Sequence, residues 1–117
     1  MAKLSTHVLD TLHGRPAGGV RIELYALDGA TARPLGTART NADGRTDAPL
    51  LEGDAVRRGR YRLVFHVGDY FRAAGIDLPD PPFVDVVPIE FGIADERANY
   101  HVPLVCTPWT YSTYRGS

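Results

Sequence analysis

The chain has 117 residues, of which 44% are hydrophobic and 23% are charged, and its formal net charge is −1. This length suits one domain, and the composition is that of a folded globular protein rather than a disordered one. We therefore expect residues 1–117 to form a single domain. Because a net charge so close to zero gives no general attraction to nucleic acid or to anionic membranes, we expect neither of them as a partner.

Short strands account for most of the predicted structure. Twelve glycines and nine prolines break the sequence into short pieces. In Val20–Leu27 and Tyr61–Val67, apolar and polar side chains alternate with the period of two that is typical of a half-buried strand. The predicted strands, in chain order, are Leu4–Leu12, Val20–Leu27, Leu35–Thr40, Tyr61–Val67, Phe83–Ile93, Tyr100–Cys106 and Tyr111–Arg115.

Turns and one short helix separate these strands. His13-Gly14-Arg15-Pro16 and Asn41-Ala42-Asp43-Gly44 have turn composition. Pro88 lies inside a predicted strand, so that strand should be at a sheet edge or carry a bulge. One short helix is expected at Asp69–Ala74, closed by Gly75. About eight short strands and one helical turn predict an all-β protein, an antiparallel β-sandwich.

Two histidines and one arginine are the candidates for chemistry. His7 lies in the first strand, His101 lies in the penultimate strand, and Arg45 follows the central turn. A histidine inside a strand is more often structural than catalytic, so the pattern alone leaves both interpretations open for these two and for His66. No two histidines have the spacing of a helical zinc motif, and no serine lies in a nucleophile elbow. The sequence therefore favours neither a metal site nor a catalytic triad.

Two other features are interpreted as structural. Four nearby arginines form a basic cluster where a loop enters a strand, a position that indicates a solvent-exposed rim. These arginines are Arg57, Arg58, Arg60 and Arg62. Cys106 falls on the strand face opposite to that of His101, and a buried cysteine behaves as a small hydrophobic residue. We expect it in the core.

The cysteine count and the targeting signals bear on the compartment. Cys106 is the only cysteine, so no disulfide can form within the chain. We find no signal-peptide pattern and no apolar run that could span a membrane. The ending Arg115-Gly116-Ser117 differs from the peroxisomal Ser-Lys-Leu signal. A cytoplasmic protein is expected.

Four segments in the same order resemble the motifs of the 5-hydroxyisourate hydrolases, which belong to the transthyretin-like family. These segments are Leu4-Ser5-Thr6-His7-Val8-Leu9-Asp10, Asn41-Ala42-Asp43-Gly44-Arg45, Tyr100-His101-Val102-Pro103-Leu104 and the C-terminal Tyr114-Arg115-Gly116-Ser117. Together they span nearly the whole chain, so the resemblance covers it from end to end.

The resemblance implies a transthyretin-like sandwich of two four-stranded sheets, assembled as a homotetramer with active sites in a channel between subunits. It implies hydrolysis of 5-hydroxyisourate to 2-oxo-4-hydroxy-4-carboxy-5-ureidoimidazoline in urate catabolism, without a cofactor or metal. The catalytic residues that it implies are His7, Arg45, His101 and Ser117. The substrate-binding residues that it implies are His7, Arg45 and Tyr114.

This reaction needs a base, a donor for the developing oxyanion and a clamp for the substrate. A histidine with its ordinary pKa near ~6.5 can take a proton from water, and the sequence does not distinguish His7 from His101 as that base. Arg45 offers a planar fork of donors that suits a carbonyl or an anionic heterocycle. The alternative function is a transthyretin-like carrier of an aromatic small molecule. Transthyretins lack the paired histidines, the arginine and the tail, so these features favour the hydrolase.

Overall fold

The computed structural model describes residues 1–117 as two β-sheets packed face to face, with one short α-helix. The strands are β1 (Lys3–Asp10), β2 (Arg15–Pro16), β3 (Arg21–Asp28), β4 (Thr31–Arg39), β5 (Leu51–Glu52), β6 (Gly59–His66), β7 (Val86–Ile93), β8 (Tyr100–Cys106) and β9 (Tyr111–Thr113). The helix α1 is Val67–Ala73, and Gly53–Ala55 forms a 3₁₀ turn. No helix has both the length and the apolar character needed to cross a membrane.

The core lies between the two sheets. The first sheet has the order β2-β1-β8-β9, with β5 also paired to β1, and the second has the order β4-β3-β6-β7. The alternation in the sequence decides which face of each strand is buried: in β3, Ile22, Leu24 and Ala26 point inward. A single cluster of 23 buried residues joins both sheets, so the two layers share one core. The prediction of an all-β sandwich with one short helix is confirmed.

The structure differs from the sequence-based expectation in several details. Strands β1 and β8 run parallel, whereas every other pair is antiparallel. β4 begins at Thr31, before the predicted Leu35, because its hairpin with β3 continues to the turn at Gly29 and Ala30. The helix begins at Val67, where a strand was expected to end. Pro88 lies in β7, which is an edge strand as predicted.

Cys106 and the basic cluster have the structural roles expected of them. The Cys106 side chain is buried, and burial, followed by the nearby charge of Asp10, raises the pKa of its thiol to about 12. Such a thiol stays protonated and unreactive. Arg62 donates to Glu90 at 2.6 Å, while Arg57, Arg58 and Arg60 are exposed to solvent.

A buried carboxylate connects β1 to α1. The side chain of Asp10 has no exposed surface, and its oxygens accept hydrogen bonds from the Tyr70 hydroxyl at 2.7 Å and the His13 ring at 2.6 Å. The backbone N–H of His13 donates a third hydrogen bond at 3.0 Å. Burial by itself raises the pKa of Asp10, but these hydrogen bonds outweigh it and lower the pKa below the ordinary value. The ionised carboxylate therefore stabilises the fold.

Asp10→Asn should lower the free energy of unfolding by about 1.5–3 kcal/mol near neutral pH, the usual contribution of hydrogen bonds to a charged group. The folded-state pKa is depressed, so this contribution is fully present above the unfolded pKa of about 3.9 and is lost as the pH falls through the folded pKa. Urea unfolding near pH 7 and near pH 3 measures the change. The gap between wild type and variant should be smaller in acid; a gap that does not depend on pH would contradict this account. Asp28→Asn is the control, because that carboxylate is exposed on the surface.

Candidate active site

The central turn is held in one shape by its own first residue. Asn41 Oδ1 accepts hydrogen bonds from the backbone N–H groups of Asp43 at 2.9 Å and Arg45 at 3.2 Å. Gly44 closes the turn with its N–H on the Asn41 carbonyl at 2.9 Å. Its φ is +75°, and an added Cβ would overlap the carbonyl oxygen of Val8, so only glycine fits. The turn therefore presents Arg45 from a fixed position.

Two contacts dock this turn against β1. The N–H of Val8 donates to the Gly44 carbonyl at 2.8 Å, and Nε2 of His7 lies 2.8 Å from the Asp43 carbonyl oxygen. A carbonyl oxygen only accepts, so Nε2 of His7 carries the proton in this contact. When its ring is neutral, the free nitrogen of His7 is Nδ1.

Strands β1 and β8 bring the two candidate histidines onto one face. In β1 the half-buried Ser5 and His7 alternate with buried neighbours. The parallel register pairs Ser5 with His101 and His7 with Pro103. Because residues that are paired across strands point to the same side of a sheet, His7 and His101 share the outer face of the first sheet.

The surroundings of His101 favour its neutral form. Burial lowers the pKa of His101, and the positive charges of Arg45 and of protonated His7 lower it further. Its Nδ1 lies 2.8 Å from the hydroxyl oxygen of Ser5, which leaves Nε2 as the nitrogen without a protein partner. His101 therefore offers a neutral imidazole whose protonation the positive charge of Arg45 opposes, which suits abstraction of a proton from water.

The C-terminal tail runs alongside β8. After β9, Gly116 forms an isolated antiparallel bridge with His101, and its N–H donates to the His101 carbonyl at 2.8 Å. The guanidinium carbon of Arg115 lies 4.2 Å from the centre of the Tyr100 ring, and the same side chain donates to the Asn99 carbonyl at 3.1 Å. The backbone of the tail is therefore fixed next to the candidate histidine.

The side chains of the remaining predicted residues, Tyr114 and Ser117, make no hydrogen bond with His7, Arg45 or His101 within one chain. Tyr114 is 59% exposed and lines a neighbouring cleft of about 210 Å³ between the tail and β7. The register of the tail nevertheless places Tyr114 opposite Pro103, the residue paired with His7. Ser117 is exposed and makes no side-chain hydrogen bond. His7 and His101 are half-buried at the surface of the chain, and Arg45 is exposed.

Two contacts of His101 were not found from the sequence. The sequence indicates no role for Ser5, although Ser5 precedes His7 by two residues and must share its strand face. Its pairing with His101 depends on the parallel register of β1 and β8, which the sequence does not reveal. Gly116 was assigned to the tail motif without a role of its own. No group of three or more histidine, cysteine, aspartate or glutamate residues is placed to hold a metal ion.

Comparisons with known proteins agree along the whole chain. The model of the HIUase/Transthyretin family matches residues 4–116. The chain is 57% identical to 5-hydroxyisourate hydrolase 2 of Rhizobium meliloti (strain 1021) over 98% of this chain and 96% of the relative. The structure of Klebsiella pneumoniae 5-hydroxyisourate hydrolase matches with a TM-score of 0.81 at 35% identity, and both chains are fully covered. The structure of (S)-allantoin synthase matches with a TM-score of 0.93 at 42% identity over 99% of this chain, which spans 44% of that longer chain.

Proposed function

We propose that this chain, which belongs to the HIUase/Transthyretin family, hydrolyses 5-hydroxyisourate by attack of water on the acyl–nitrogen bond of its six-membered ring. The observation that carries the proposal is the placement of His7 and His101 on the outer face of the first sheet, with the pKa of His101 lowered by burial and then by the charge of Arg45. The identity to hydrolases of this substrate supports the same reaction. The chain is accordingly a hydrolase of purine catabolism, and residues 1–117 act as one domain.

His101 is the proposed general base. With its pKa lowered it is neutral at neutral pH, and Nε2 takes a proton from the attacking water. The water oxygen bonds to the ring carbonyl carbon, the carbon–nitrogen bond breaks, and the proton passes to the departing nitrogen. The balance of atoms needs no cofactor and no covalent enzyme intermediate.

Arg45 and His7 are proposed to bind the substrate and to stabilise the oxyanion. The guanidinium fork of Arg45 can donate two hydrogen bonds to a planar, electron-rich heterocycle. His7 is oriented through the Asp43 carbonyl, so its position is coupled to the turn that carries Arg45. Tyr114 and Ser117 complete the proposed site from the tail, Tyr114 by contact with the substrate and Ser117 by orienting the water or a histidine.

Absorbance of 5-hydroxyisourate generated from urate tests the function. Decay should accelerate in proportion to the concentration of folded protein and should be unaffected by a chelator. Decay at the spontaneous rate would reject hydrolysis. Saturable binding without turnover would favour the carrier, the alternative that the polar, charged character of this face argues against.

We further propose a homotetramer whose inter-subunit channel contains the site. The support is the position of His7, Arg45 and His101 at the surface of one chain, with Arg45 exposed and both histidines half-buried, because a surface site gives little shielding of the substrate from bulk water. Exposed Trp109 and Tyr111 lie on or next to the strand that edges the first sheet and provide apolar surface for contacts between subunits.

The reducing cytoplasm is the proposed compartment, consistent with a free, buried thiol at Cys106.

Light scattering coupled to size exclusion should report four chains per particle at assay concentrations. Closed symmetric assembly is the usual outcome for a homo-oligomer, so the four sites should be equivalent. Specific activity should fall on dilution if the tetramer dissociates. A monomer that retains full turnover would remove the channel from the proposal while leaving the chemistry of the face intact.

A further inference from the structure

We propose that Ser5 and Gly116 are positioning residues that hold His101 in one ring orientation and one tautomer, with Nδ1 protonated and Nε2 free. The effect of this positioning on the reaction rate rests on the proposed hydrolysis, whereas the tautomer of the His101 ring can be measured without any substrate. Neither residue belongs to the group of side chains that would contact the reacting atoms.

Ser5 determines which nitrogen of His101 is free. Its hydroxyl oxygen lies 2.8 Å from Nδ1 and comes from the strand position directly paired with His101. A histidine that accepts a proton at Nε2 becomes doubly protonated, so its Nδ1–H then needs an acceptor. If Ser5 already accepts from Nδ1–H in the neutral ring, the same hydrogen bond persists before and after proton transfer. No reorganisation is then needed during the reaction.

Gly116 restricts the orientation of the His101 ring from the side opposite to the Ser5 contact. The tail backbone lies so close that a Cβ at position 116 would be 2.5 Å from Cδ2 of His101 and 3.2 Å from its Cγ. Real Cβ atoms do not approach other atoms so closely, so either the ring or the tail has to move for any other residue. The backbone of Gly116 is itself fixed by its hydrogen bond to the His101 carbonyl at 2.8 Å. Glycine is therefore required here for close approach rather than for an unusual φ.

The two contacts make the candidate histidines opposite in tautomer. The Asp43 carbonyl requires a proton on Nε2 of His7, whereas the proposed Ser5 contact places the proton on Nδ1 of His101. The contrast supplies a signature that is independent of activity.

Long-range proton–nitrogen NMR correlations on labelled protein, recorded above the titration range of histidine, test the assignment. The signals of His101 are identified by their loss in His101→Asn. In wild type, His7 should show the Nε2–H pattern and His101 the Nδ1–H pattern. Ser5→Ala and Gly116→Ala should each move His101 toward a mixed or Nε2–H pattern and leave His7 unchanged. Ser5→Thr, which keeps a hydroxyl, should restore the wild-type pattern.

Kinetics of the same variants test the consequence. Ser5→Ala and Gly116→Ala should lower kcat by about 10- to 10²-fold, the scale of a misplaced catalytic group, with KM near the wild-type value. The controls are Ser112→Ala, an exposed serine without a side-chain hydrogen bond, and Gly36→Ala, where an added Cβ meets nothing within 4 Å. Both controls should match wild type in kcat and in the spectra.

The two proposals fail in different ways. An Nε2–H pattern for His101 in wild type, or unchanged spectra and unchanged kcat in Ser5→Ala and Gly116→Ala, would overturn the positioning role. Absence of hydrolysis by wild type would instead reject the proposed function, and the spectra would still decide the role of the two residues. If Gly116→Ala fails to fold, the wild-type spectrum and Ser5→Ala suffice.

Discussion

His101→Ala should lower kcat/KM by about 10²- to 10⁴-fold, the usual cost of losing a general acid–base group. His7→Ala should lower it by about 10²- to 10³-fold, the cost of losing one donor to the oxyanion. His101 loses the nitrogen that takes the proton from water. His7 loses the ring that is held by the Asp43 carbonyl beside Arg45. Steady-state decay of 5-hydroxyisourate, with circular dichroism to verify folding, measures both effects.

The pH dependence of kcat/KM for the wild-type protein also tests whether His101 is the base. Burial and the neighbouring positive charges lower the pKa of His101 from the ordinary 6.5, so the base stays unprotonated to lower pH. The acid limb of kcat/KM should therefore have its midpoint below 6.5, and His101→Ala should abolish that limb. A midpoint above the ordinary value would contradict the assignment of His101 as the base.

Two other histidines serve as controls. His66 forms a hydrogen bond at 2.6 Å with Glu23 on the second sheet, far from the proposed site in the topology. His66→Ala should leave kcat/KM near wild type. His13→Ala should also remain active but should unfold more easily, because its ring donates to the buried Asp10. A loss at His13 equal to that at His7 would show that the site has been misplaced.

A chain ending at Thr113 should fold with a β-rich circular dichroism spectrum and lose at least about 10²-fold in activity, the scale of one lost transition-state contact. Truncation removes Tyr114, removes Ser117, and frees the His101 ring from the backbone of Gly116. It also removes the contact of Arg115 with the Tyr100 ring, worth about 0.5–1 kcal/mol at an exposed site. Activity should therefore fall far more than stability does.

The variant Tyr114→Thr distinguishes the contact of Tyr114 with the substrate from the effect of Gly116 on the orientation of His101. It removes the ring while Gly116 and its hydrogen bond to His101 remain. Much of the loss seen on truncation should be reproduced, chiefly through binding of the substrate. Full turnover by the truncated chain would reject the role of the tail even though the sandwich assignment would stand.

Alternation of polar and apolar residues was sufficient to predict two of the long strands and their buried faces. Val20–Leu27 and Tyr61–Val67 became β3 and β6 almost unchanged. Pairing between distant strands was not predictable in the same way, because period-two patterning assigns a face but not a neighbour. The parallel contact of β1 with β8 therefore appears only in the structure, and the two-residue strands β2 and β5 are too short to carry a pattern.

The candidate site was also predictable only in part. His7, Arg45 and His101 could be singled out from the sequence by their motifs, and the structure places the two histidines on one sheet face, with the charge of Arg45 lowering the pKa of His101. The partners that orient them could not, because the Asp43 carbonyl, the Ser5 hydroxyl and the Gly116 backbone come from separate segments. Tyr114 and Ser117 remain predictions from the motif, since their side chains make no hydrogen bond with the histidines within one chain.

Hydrolysis itself is most directly measured by mass spectrometry of the product formed in ¹⁸O-labelled water, with enough protein that the spontaneous reaction is negligible. The account predicts one solvent oxygen in the newly formed carboxylate, appearing at the same rate as 5-hydroxyisourate disappears. His101→Asn, in the same labelled water, should slow both to near the spontaneous rate. Substrate that disappears at the accelerated rate without incorporation of solvent oxygen would contradict the attack of water on the acyl–nitrogen bond.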